Sequence, residues 1–95
     1  MDTEEAAALG LYVDGQNKLA ATVKDRDKLL LRLEALAHAS EAYDGKRSIL
    51  DFNLAEAQDI MTQLTTIGAN ISALVIGINA NAAKCNRPHV EIIRR

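Results

Sequence analysis

The residues able to do chemistry are few and scattered. Cys85, the single cysteine, has Lys84 and Arg87 nearby, charges that favour a thiolate. No general base accompanies it, and one cysteine can build neither an internal disulfide nor a cysteine-based metal site. His38 and His89 lie far apart in the chain. His38 follows Glu34 by four residues, the spacing of an ordinary surface pair on a helix. Asp25 and Asp27 alternate with Lys24, Arg26 and Lys28, which reads as a self-neutralising solvated face rather than the one-sided basic patch that phosphate binding requires. Arg94 and Arg95 add only a small basic end, and Gly68 and Gly77 sit inside a helical pattern, not in a phosphate-cradling loop. The sequence therefore predicts no catalytic residue, no cofactor, no metal site and no nucleic-acid partner, and a protein that is not an enzyme.

The elements that would carry any site are helical. Ninety-five residues make one domain at most, and 48% apolar with 25% charged residues and a net charge of -2 is the balance of a folded chain. Aromatic residues are only 3%, β-branched residues are sparse before Ile60, and the one proline, Pro88, lies near the end, so helix is favoured over sheet almost throughout. The acidic start lacks the basic and apolar regions of a signal peptide, which predicts a cytoplasmic protein or one secreted without such a signal.

The first helix is expected over about 3–43, capped by Asp2 with Glu5 three residues on. Leu9, Tyr12, Gln16, Leu19, Val23 and Arg26, then Leu30, Leu33, Ala37 and Ser40, alternate steps of three and four like a coiled-coil seam, with Leu29 and Leu36 widening it. Gly10, Asp14, Gly15 and Asn17 lower helix propensity and mark the place for a kink. A turn is expected at 44–47, where Gly45 can stop the helix, and Ser48 with Asp51 reads as a capping box opening a second helix over about 48–86. One row of that helix holds Leu54, Ala57, Met61, Leu64, Gly68, Ile71, Val75, Ile78 and Ala82. A second, with Ile60, Leu64, Ile67, Ile71, Leu74 and Ile78, overlaps it. Pro88 should end the helix near 85–87, leaving 89–95 as an extended or disordered tail. Two helices of roughly 35 to 40 residues, about 55–60 Å each, would fold into a long antiparallel hairpin spanning 1–88. That register sets Gly15 near Gly77, where two facing glycines would let the backbones approach.

The feature that calls for a partner is the charge-free stretch between Asp59 and Lys84. A helix with one solvated face should carry several charges over that span, and two helices bury one face each, which is marginal at this size. Ile67, Ile71, Leu74, Val75 and Ile78 cannot all enter one antiparallel seam. With Leu29 and Leu36 they are the expected protein–protein interface. The occupant expected is a second copy, forming a four-helix-bundle dimer, or another helical protein, in the manner of an adaptor, chaperone or inhibitor. A membrane is the weaker expectation. Residues 61–83 are long enough to span one, but their Asn, Gln and Thr are costly there.

With Tyr43-Asp44-Gly45 in the central turn and a second helix rich in small residues, the chain resembles the W-x-G helical hairpins exported by type VII secretion systems. The resemblance covers the layout of the whole chain, with Tyr in place of Trp and no tyrosine followed four residues later by an acid in the tail. It implies a secreted effector, adaptor or export partner that works as a four-helix homodimer or heterodimer.

Overall fold

The computed structural model describes residues 2–39, 45 and 49–94. Asp2 opens the first helix. Its Oδ1 accepts the Glu5 amide at 2.6 Å and its carbonyl accepts the Ala6 amide at 3.0 Å, so two donors of the helix start find partners. Helix α1 then runs Thr3–Ala39 without a break. The stretch 10–17 stays helical because Gly15 is seated against the other helix, and such packing outweighs the roughly 1 kcal/mol that a glycine costs. Tyr43, Asp44 and Ser48 lie outside the described residues. Gly45, with φ of 81°, adopts a conformation that suits glycine and a chain reversal.

Helix α2 spans Leu54–Cys85, so it begins later than the Ser48 capping box would place it, and 49–53 are not helical. The cap is Asn53. Its Oδ1 accepts the Glu56 amide at 3.1 Å, and its Nδ2 donates to Glu56 Oε2 at 3.2 Å. The same carboxylate takes two bonds from Arg32 of α1, Nε to Oε1 at 2.6 Å and Nη2 to Oε2 at 2.9 Å. The cap is thus braced from across the hairpin. At the far end Asn86 turns left-handed (φ 57°, ψ 48°) and the Arg87 amide donates to the Ala82 carbonyl at 3.0 Å, closing the helix just before Pro88.

The two helices pack antiparallel into an all-α hairpin, and no strand occurs among the described residues. Most of the expected row of α1 is partly buried, from Leu9, Tyr12 and Gln16 through Leu19, Val23 and Arg26 to Leu33, while Leu30 is 43% exposed. The seam also extends one residue to the side, where Ala8 and Leu36 are buried and Gly15 and Leu29 partly so. Small residues win these positions at the far end because they let the helices close. A Cβ added to Gly15 would lie 2.7 Å from Ile78 Cγ1, while Gly77 faces open space, so the close approach is glycine on isoleucine rather than glycine on glycine. In α2 both rows enter the seam: Ala57, Val75, Ile78 and Ala82 of the first and Ile60 and Ile78 of the second are buried, whereas Leu54 and Met61 stand more than half exposed. The resulting rod measures 72 × 20 × 17 Å, with a radius of gyration of 19.8 Å; a compact chain of this length would have about 12 Å.

The tail is bonded to both helices. Residues 87–94 form neither helix nor strand, and the Asn79 side chain of α2 pairs with the Val90 backbone: the Val90 amide donates to Oδ1 at 2.7 Å and Nδ2 donates to the Val90 carbonyl at 3.0 Å. From α1 the Tyr12 hydroxyl donates to the Pro88 carbonyl at 3.0 Å, and Gln16 Nε2 donates to that hydroxyl at 3.2 Å.

Candidate interaction surface

The groups with chemical potential stay dispersed. Cys85 is buried, its Sγ donating to the Asn81 carbonyl at 3.1 Å. Glu34 and His38 form a surface pair at 3.5 Å, Asp14 pairs with Lys18 at 3.0 Å, and Arg26 pairs with its neighbour Asp27 at 3.1 Å. Among the described residues no group of His, Cys, Asp and Glu is arranged to hold a metal ion. Among the described residues the one shifted acid–base pair is Arg32 with Glu56, where the mutual hydrogen bond raises the guanidinium and holds the carboxyl below its usual range.

The surface expected to meet a partner divides in two. Leu36, Val75 and Ile78 are buried within the hairpin itself, at 8, 7 and 2% exposure, and have little left to offer a second chain. Leu29, Ile67, Ile71 and Leu74 are partly buried, with Leu29 packed on the Leu36, Ala57 and Ile60 cluster. The two helices share a seam whose width consumes more of this set than the sequence allowed for.

What remains uncovered lies beside the seam. An open groove of about 650 Å³ runs between the helices toward their far end. Leu11, Gly15 and the Asp14–Lys18 pair wall it on α1, and Leu74 and Gly77 wall it on α2, with Asn70 and Asn81 at the rim. Leu11 is 58% exposed although it lines the groove, and Ile76, elsewhere on α2, is 72% exposed. Periodicity reasoning passed over Leu11 and set Gly77 opposite Gly15 rather than on a groove wall. Leu11 falls off both seam rows, and Gly77 matters by what it leaves empty. The polar side chains of α2 are largely satisfied by their own helix. The hydroxyls of Thr62, Thr65 and Thr66 and the amide of Asn81 donate to carbonyls one turn back. Covering this face would therefore strand few donors.

The whole chain exposes 7161 Å², against about 5,400 Å² for a compact monomer of its mass. The excess exceeds the roughly 800 Å² that each partner contributes to a standard interface. No family model, curated protein or solved structure matches the chain.

Proposed function

We propose that this chain is a non-enzymatic interaction protein that works by helix-on-helix packing. The observation that carries the reading is the uncharged flank of α2 between Asp59 and Lys84, left open beside a groove on a rod with far more surface than its mass requires. The natural product is a four-helix bundle, formed with a second copy or with another helical protein. An adaptor, a chaperone and an inhibitor would all use the surface in this way, as would a W-x-G-like export substrate.

A second reading rests on α2 itself, which is long and apolar enough to cross a membrane and has most of that span uncovered. Its back-bonded threonines lower the cost of an apolar environment. One experiment separates the two: light scattering after size exclusion for the mass, with flotation on phosphatidylcholine vesicles alongside. Helix packing expects a mass above 10.3 kDa, protein left at the bottom of the gradient, and dissociation by Leu74→Arg, since Leu74 walls the groove. Protein that floats, with Leu74→Arg abolishing flotation, would replace the interaction reading with the membrane one.

A further inference from the structure

Resting on the helix-packing reading, we infer that the occupant of the groove is the α2 helix of a second copy, running antiparallel about a two-fold axis beside Ile71 and Ser72. The argument begins with charge. Asp59 lies in the second turn of α2 and Lys84 in its last, and no charge stands between them. An antiparallel register sets Asp59 level with Lys84 of the second copy, so the acid near the start of one helix meets the base at the end of the other. By symmetry this contact occurs twice.

The same register matches shape. Asp59, Thr66, Asn70, Ala73, Gly77 and Lys84 recur at steps of three, four and seven, one face of a helix. Asn70, Ala73 and Gly77 from this row line the groove. Antiparallel pairing sets Thr66 against Gly77 of the second copy and Asn70 against its Ala73, so each larger side chain meets a small one. The two Asn70 amides come within one turn of each other at the axis, where a buried polar pair fixes register. Helix α1 meets no charged residue of the incoming segment 60–83, so the Asp14–Lys18 pair opposes no like charge. The surplus surface is large enough for a standard two-fold contact.

Gly77 gives a clean test, because a side chain there meets nothing within 4 Å in the single chain. Sedimentation equilibrium on the full chain should show a dimer at about 100 μM. Gly77→Arg should sediment as a monomer with unchanged helicity by circular dichroism. Asp59→Lys and Lys84→Asp should each weaken the dimer about tenfold, by converting two attractive pairs into repulsive ones. The double variant should recover most of the wild-type affinity, a rescue that loss of folding cannot mimic. A dimer indifferent to all three changes overturns this face and register and leaves helix packing standing. A wild-type monomer that stays off vesicles overturns the second copy as occupant, and one that floats overturns the helix-packing reading as well.

Discussion

The two ends of the hairpin are gripped by different means. Near the connection, Leu29, Leu33 and Leu36 meet Ala57, Ile60 and Leu64, and the Arg32–Glu56 pair ties the helices on the outside. At the far end the buried residues are Ala8, Ala82, Cys85, Val75 and Ile78, with Gly15 pressed against Ile78, and the tail is bonded to both helices. Large side chains hold helices together through the area they hide. Small ones hold them by close approach, where many weak contacts act at short range, and they leave the flanks unfilled. The groove lies at the small-residue end for that reason: the same substitution of bulk by closeness that seats Gly15 on Ile78 leaves room beside Leu11 and Leu74. The end least able to cover itself is the one fitted for a partner.

The strongest way to break this contrast is to add one methyl group. Gly15→Ala would force Cβ to within 2.7 Å of Ile78 Cγ1, and Ile78 is buried with little room to yield. Overpacking of this kind costs about 1–3 kcal/mol, against roughly 1 kcal/mol gained in helix propensity. The net expectation is destabilisation by up to about 2 kcal/mol in thermal melts at fixed protein concentration. Gly68→Ala, with open space around it, should instead stabilise by up to about 1 kcal/mol. If both substitutions stabilise equally, close approach does not hold the far end.

The sequence made the hairpin legible because its two long apolar periodicities and its glycine-bearing turn agree. It made the face of α1 less legible. Rows through Leu9 and Leu30 or through Ala8 and Leu29 have the same period and the seam draws on both, because small size rather than hydrophobicity suits the close approach of Gly15 to Ile78. The start of α2 was ambiguous for a related reason. Ser48 with Asp51 and Asn53 with Glu56 are both local cap signals, and the second is braced by Arg32, whose position only the folded hairpin supplies. The tail was illegible, since Tyr12 and Pro88 stand 76 residues apart and an asparagine that reads a backbone leaves no pattern in the sequence. The charge-free segment was legible as surface in need of cover, but the seam takes Val75 and Ile78 for itself and leaves Asn70, Ala73 and Gly77 to face outward.

A smaller effect would sharpen the contrast at the tail. Asn79→Ala removes both hydrogen bonds to Val90, and two neutral bonds contribute about 1–2 kcal/mol between them. The loss should be local. Amide exchange should speed up at Val90 and its neighbours, while amides around Ile60 and Leu64 keep their protection. Uniform loss of protection in both regions would mean that the tail supports the whole hairpin rather than its far end.

The smallest effect belongs to the connection end and appears with acid. The bond from Arg32 lowers the Glu56 carboxyl from its ordinary 4.5, so the folded state holds the charged form more tightly than the unfolded state does. A depressed folded value contributes stability that is fully present above the unfolded value and is lost as pH falls through the folded one. The Arg32 guanidinium, raised from an already high value, stays charged throughout that range and adds no slope there. Glu56→Gln should therefore flatten the decline in melting temperature below about pH 4.5, by an amount limited by the exposure of the pair. Asn79→Ala should leave that decline unchanged, because the amide that bonds Val90 carries no titratable group. Were Glu56→Gln to keep the wild-type slope while Asn79→Ala changed it, the ionic grip would have been assigned to the wrong end.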